Sequence, residues 1–375
     1  AADVAAGRAA WLALGEEHGE PATGPRDAAE WTAAGQDIVE QLLVGLGWRV
    51  TGLCRRPGTE TVVVTSPDPE GVKFVVTTPT GHSMAQLASL DGGSPEAQPG
   101  GADHFDAAHI ARFARYRSGR EGIAVLGFAV PKGGVEEIHA RYQALHPELL
   151  LPGSPRSYGG AKVLEVFAYY LGAKQASGAD RGTLLRFVEA EGPDAGFWVL
   201  PGVERVEAAF DGASSPAYCD HWVSNVVSRA GFLDTLSDTL GFSPKVDFNA
   251  GVVAAGEAQI ESTVTGNDPG LSTSDAAAAL RDQSQVYLPI NNALSDFGHV
   301  HLYLREIGQG VQHIASRVAD LPSVVQRAND LREMTGAGLA FLSIPRSYYG
   351  ALSARQLGRD AGVGLELAEA CLAAL

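Results

Sequence analysis

The chain has 375 residues, more than one hydrophobic core usually serves, so two domains of ordinary size are expected. A hydrophobic content of 45% against 19% charged is globular, and no apolar run reaches the roughly eighteen residues a membrane-spanning helix needs. With 28 Lys and Arg against 44 Asp and Glu, a net charge of −16 and no basic cluster, nucleic acid is excluded as a partner.

The N-terminal stretch "AADVAAGRAAWLALGEEHGEP" has no Met and no continuous apolar core, so it does not read as an intact secretory signal; residues 1–24 are taken as an extension. Cys54, Cys219 and Cys371 are odd in number and far apart, which fits a reducing compartment, cytoplasmic or organellar, and argues against a disulfide framework.

Along the chain a long-period repeat emerges. "VGLGWRV" (44–50) lies over "DTLGFSP" (238–244), "REGIAVLGFAV" (120–130) over "GQGVQHIASRV" (308–318), and "SPRSYGGA" (154–161) over "IPRSYYGA" (344–351), at offsets of 194, 188 and 190 residues. Three anchors in order at a nearly constant offset imply two copies of one domain, 25–205 and 206–375. In each copy a strand, a helix and further strands are followed by the same unit again.

In the second copy, "YCDHWVSNVV" reads as a strand and "RAGFLDTLSDTL" as a helix stopped by Gly241. "AQIESTVTG" and "QVYLPIN" read as strands, with "GNDPGLSTSD" (266–275) as a loop between them. "GVQHIASRV" and "LPSVVQRANDLREM" restart the strand and helix. After "PRSYYGA", the sequence "LSARQLGRDAGVGLELAEACLAAL" has helical spacing, whereas the first copy continues there into the strands "KVLEVFAYYLG", "TLLRFVEAEG" and "FWVLPGVE".

Two histidines stand out because the first copy lacks them. His313 lies over Val125 and His221 over Asp27, so the fold itself does not demand an imidazole at either place. The plain reading of a strand histidine is a core imidazole satisfied by a neighbour. Two of them on the first strands of successive strand–helix modules can instead converge on one metal ion, for which neutral imidazole is a good ligand. Cys219, two residues before His221, would share its strand face and is a possible further ligand or a buried small hydrophobe.

"DHWVSNVV", "VYLPIN", "GVQHIA" and "PRSYYGAL", taken in order, resemble the successive motifs of the 4-hydroxyphenylpyruvate dioxygenase family, with its hydroxymandelate synthase relatives, in the vicinal-oxygen-chelate superfamily. "LPGVERVE" (200–207) resembles that family's interdomain segment and "WTAAGQDIVEQLLVGLG" (31–47) its first module.

The resemblance implies an α+β fold of two tandem vicinal-oxygen-chelate domains, built from paired βαβββ modules that form open barrels. The first would lack a metal. The second would hold Fe(II) through His221 and His313, the residues that carry catalysis. An arylpyruvate, 4-hydroxyphenylpyruvate above all, would bind through its 2-oxoacid group and react with O2 to give homogentisate with loss of CO2, a step of tyrosine catabolism. Ser262, Asn291 and Gln312 would lie near the substrate, although Gln312, as the strand neighbour of His313, is expected to face the other way. A homo-oligomer, or a subunit of a larger assembly, is expected.

The family's third ligand is a Glu on one of the last strands, and this sequence has no counterpart strand before Leu375; Glu366 and Glu369 fall in the helical stretch and read as solvated. The family's "LPINEP" is "LPINNA" here, with Asn292 and Ala293, and its substrate-side Gln is replaced by His299 in "GHVHLYL"; His299 and His301 read as exposed polar residues or as spare ligands. A rival reading follows: a catalytically silent relative serving as a binding or assembly subunit. Another 2-oxoacid substrate is the third possibility.

Overall fold

The computed structural model describes residues 38–39, 42, 45–56, 59–66, 72–79, 105–117, 122–191 except 159, 203–206, 217–255, 258–267, 286–336, 339 and 353–374. Of the motifs above, residues 1–37, 192–202, 268–285 and 344–352 lie outside that set. Residues 1–338 make one compact unit and residues 339–375 a second.

Among the described residues the first unit holds three sheets, none closed into a barrel. The first has the order β3-β2-β1-β8, from β1 (Arg49–Arg56), β2 (Thr59–Thr65), β3 (Lys73–Pro79) and β8 (Glu204–Arg205), all antiparallel. β2 is buried along its whole length, as the β-branched run "TETVVVT" suits. The second sheet has the order β4-β7-β6-β5, from β4 (Val125–Ala129), β5 (Arg156–Tyr158), β6 (Ala161–Tyr170) and β7 (Ala179–Ala190).

The third sheet has the order β10-β11-β12-β9-β13, from β9 (Ala217–Asn225), β10 (Ser243–Ala255), β11 (Ala258–Gly266), β12 (Tyr287–Ala293) and β13 (Gly310–Val318). Its first four strands repeat the second sheet's pattern: β12 runs parallel to β9 as β7 does to β4, and the remaining pairs are antiparallel. In both sheets a helix follows the first strand, α2 (Gly134–Leu145) after β4 and α3 (Arg229–Leu240) after β9. β13 then adds antiparallel to the free side of β9, which makes the two histidine-bearing strands neighbours.

The helix ends follow local rules. The Ser228 hydroxyl caps α3 by accepting from the Gly231 amide at 3.1 Å, and Gly241, left-handed at φ 69°, ends it. Asp320 caps α5 (Leu321–Thr335) through the Ser323 amide, with Gly336 closing it. Two further helices of this unit are α1 (Phe105–Tyr116) and α4 (His299–Glu306). The main core gathers Leu164, Leu184, Leu185, Leu288 and Ile290 from the second and third sheets with Leu236 of α3. A smaller one joins Trp48, Val50 and Val62 to Ala217 and Leu331.

Buried polar links tie the second sheet to the third. His146 meets Tyr170 Oη through Nδ1 at 2.7 Å and donates through Nε2 to Asp238 Oδ2 of α3 at 3.0 Å. The second unit is a helical hairpin, α6 (Ala354–Ala361) and α7 (Leu365–Ala374), where the single helical stretch read from the sequence is broken at Gly362, left-handed at φ 65°. Among the described residues no helix is long and apolar enough to cross a membrane.

Candidate metal centre

The alternation of β9 and β13 separates two faces. Trp222 and Ile314, paired across the strands, pack on the main core. His221, Val223 and Asn225 point to the opposite face, and so does His313, the ladder partner of Val223. His221 is paired with Ala315, two residues along from His313, so the imidazoles are diagonal neighbours on one face. Their ring centroids are 5.8 Å apart and the planes lie at 77°. At a metal–nitrogen distance of about 2.0–2.1 Å an imidazole centroid sits about 3.2 Å from the ion, so two rings this close can reach one ion.

The ladder carries two irregularities at this point. Gln312 is an extra residue in β13 between Val311 and His313, opposite the consecutive Ser224 and Val223. Asp220 is an extra residue in β9 between Cys219 and His221, opposite Ser316 and Ala315. Each is a β-bulge, which breaks the alternation and re-aims the side chains beside it. The expectation that Gln312 faces away from His313 therefore fails: Gln312 Oε1 lies 2.6 Å from His313 Nδ1. Asp220 Oδ1 lies 3.5 Å from His221 Nδ1.

The same bulge removes Cys219 from the face of His221, contrary to its expected spacing. Burial, with Asp220 beside it, pushes the Cys219 thiol up to about 11 against the pull of Arg317, so it offers no thiolate at neutral pH. Partial burial, then the neighbouring His221, holds His313 below the ordinary histidine value and favours its neutral, ligating form.

Ser262, Asn291 and Asn225 form a row across β11, β12 and β9: Ser262 is the ladder partner of Asn291, and Asn291 of Asn225. The row lies on the histidine face, about 13 Å along the strand from His221 at about 3.3 Å per residue. Asn225 is fully buried; its Oδ1 accepts from Asn291 Nδ2 at 3.5 Å and its own Nδ2 has no hydrogen-bond partner. A buried donor left unpaired at the floor of a polar row is what a ligand's oxygen would satisfy. Sequence reasoning missed Asn225, although its spacing of four from His221 on a strand was the available signal.

Among the described residues no group of three or more His, Cys, Asp and Glu side chains lies together as a metal site would. His299 and His301 are two apart on α4, and residues so spaced do not share a helix face. Glu366 and Glu369 are exposed on α7 of the second unit. The two imidazoles thus fit two positions of a two-histidine, one-carboxylate site, and the carboxylate is not among the described residues.

No protein-family model matches this sequence, and no curated protein matches it. Solved structures do. A triple mutant of 4-hydroxymandelate synthase from Streptomyces coelicolor superposes with a TM-score of 0.56 at 17% identity, over 88% of this chain and 78% of that one. A xylose isomerase-like TIM barrel/4-hydroxyphenylpyruvate dioxygenase fusion protein gives 0.51 at 15% identity, over 96% of this chain but only 47% of the fusion, so this chain spans about half its length. At such identities the likeness is one of fold: the chain is built as these two proteins are over most of its length.

Proposed function

We propose that the chain is a non-haem Fe(II) dioxygenase of an arylpyruvate, most specifically of 4-hydroxyphenylpyruvate, giving homogentisate and CO2. One observation carries the reading: His221 and His313, 92 residues apart in sequence, meet on one sheet face with centroids 5.8 Å apart. The fold likeness to a hydroxymandelate synthase and a hydroxyphenylpyruvate dioxygenase fusion supports it.

His221 and His313 would hold the iron, which when bound supplies the redox step with O2. The chain's own residues do the rest. Asn225, Asn291 and Ser262 offer amide and hydroxyl groups that orient a polar substrate along the face. The core beneath Trp222 and Ile314 keeps the opposite side of the sheet dry.

The lack of a carboxylate as third ligand among the described residues favours a second reading, a silent subunit that keeps the scaffold and binds no iron firmly. Anaerobic loading with Fe(II), followed by metal analysis and O2 uptake with 4-hydroxyphenylpyruvate, separates the two. The enzyme reading expects one iron per chain, lost in His313→Ala, and O2 consumed only when substrate is added. Substoichiometric iron in the wild type, indifferent to His313→Ala, sinks it. Iron retained without uptake across several arylpyruvates would leave the site and remove the substrate.

A further inference from the structure

We infer that Gln312 and Asp220 are positioning residues that set the tautomers of His313 and His221. Their side-chain oxygens would hold each Nδ1 as the N–H, leaving both Nε2 lone pairs for one ion. The inference rests on the metal-centre reading and deepens it.

On a regular strand the residue before a histidine points to the other face and cannot reach its ring. Here each histidine follows the extra residue of a bulge, and in both cases that residue's oxygen faces Nδ1 rather than Nε2: Gln312 Oε1 at 2.6 Å and Asp220 Oδ1 at 3.5 Å. Two bulges on adjacent strands, each at the residue preceding a histidine, are not needed to pair β9 with β13. They do serve a ring that must present a defined nitrogen.

An imidazole that donates through one nitrogen has its lone pair fixed on the other. A carboxylate such as Asp220 can only accept, so a hydrogen bond across the 3.5 Å between its Oδ1 and His221 Nδ1 takes that nitrogen as the donor. The Gln312 amide oxygen, 2.6 Å from His313 Nδ1, accepts in the same way. The tighter contact makes His313 the better fixed of the two rings.

The test uses the full chain, metal-free and 15N-labelled at histidine, in mildly alkaline buffer. Long-range proton–nitrogen correlations should show His313 as the Nδ1–H tautomer, and Gln312→Leu should move it toward Nε2–H without altering the rest of the spectrum. Cobalt(II) titration should then show affinity falling by about 10–100-fold in Gln312→Leu. Gln312→Glu, which keeps an acceptor, should restore it. A wild-type His313 in the Nε2–H form, or cobalt affinity unmoved by both Gln312→Leu and Asp220→Leu, overturns the inference. If the wild type shows the Nδ1–H tautomer yet takes up no cobalt, the tautomer assignment stands and the metal-centre reading falls, so the two fail separately.

Discussion

Gln309 donates through Nε2 to Asp180 Oδ2 at 3.1 Å, joining the turn that launches β13 to the start of β7. The same side chain accepts the Val227 amide at 3.0 Å, just past the end of β9, and donates to the Tyr170 carbonyl. Gln309 and Asp180 are both buried, and Arg117 lies 3.7 Å from Asp180 Oδ1. One amide thus fixes the ends of both histidine strands against the second sheet. Gln309→Ala would strand the Val227 amide and one oxygen of Asp180, at a cost of about 1–3 kcal/mol per unsatisfied group. Gln309→Glu would set a second carboxylate against Asp180 and should cost more. Urea unfolding checks the order; equal stability of Gln309→Ala and wild type would show that the turn is held by other contacts.

The second sheet hides an ionic cluster that should make the fold acid-labile. Glu165 of β6 faces Arg186 of β7 at 2.8 Å and His109 of α1 at 3.3 Å, while Arg112 lies 2.9 Å from His109 Nδ1. Burial above all, with Arg112 and Arg186 beside it, lowers His109 to about 4 against the pull of Glu165. Burial pushes the Glu165 carboxyl up, but His109 and Arg186 overcome it and hold it well below the usual carboxylate range. Between pH 6.5 and about 4 the unfolded chain binds a proton at His109 that the folded chain refuses, so stability falls as pH falls. The loss from this group is on the order of 3 kcal/mol. Glu165 adds a further loss below its unfolded value of 4.5, since its ionised form is the one the fold stabilises. His109→Gln, which keeps a donor and an acceptor, should flatten the first part of the decline in a pH series of melting temperatures and, by removing the pull of His109 on Glu165, shrink the second, which Arg186 then carries.

The contrast between these features and the strands marks what a linear reading can reach. β11 runs Ala258–Gly266, the stretch whose alternation marked it, and α3 stops at the Gly241 that its sequence nominated. Period and punctuation are local, and they survive folding. The bulges at Gln312 and Asp220 are not local: each exists only relative to the partner strand, so the face of every residue beyond them was open to error, as Cys219 and Gln312 show. The pairing of His109 with Glu165, 56 positions on, carries no periodic signature at all. His221 and His313 were nominated by laying two stretches of sequence over each other, one with imidazoles and one without; that the two rings share a face comes only from the pairing of β9 with β13.

Asn225 makes a prediction that separates stability from binding. A buried amide with an unpaired Nδ2 and one long hydrogen bond is costly to keep, by about 1–3 kcal/mol for the donor alone. Asn225→Val, close in shape and free of polar atoms, should therefore leave the melting temperature unchanged or raise it. If the row with Asn291 and Ser262 binds the substrate, the same variant should weaken 2-oxoacid binding several-fold, as measured by titration of the metal-loaded protein. A marked loss of stability would mean that the Asn225 amide is paired in the folded chain and the row is structural.

Gly231 lies in the first turn of α3, where its amide meets the Ser228 cap, and a Cβ built there would sit 1.7 Å from the Ala173 carbonyl oxygen. Ala173 belongs to the turn between β6 and β7, so the contact is between the helix that follows β9 and the neighbouring sheet's hairpin. Because the obstacle is backbone, no rotamer change relieves it; either the helix start or the turn must move. Alanine is ordinarily the better helix former by about 0.8–1.0 kcal/mol, and propensity alone predicts that Gly231→Ala stabilises. Steric exclusion should win: overpacking of this kind costs about 1–3 kcal/mol, and more where backbone must shift. Thermal unfolding of Gly231→Ala should show a clear loss, and deletion of the Ala173 turn contact by shortening residues 173–176 should recover part of it. A Gly231→Ala variant as stable as wild type would mean that the hairpin does not lie against α3.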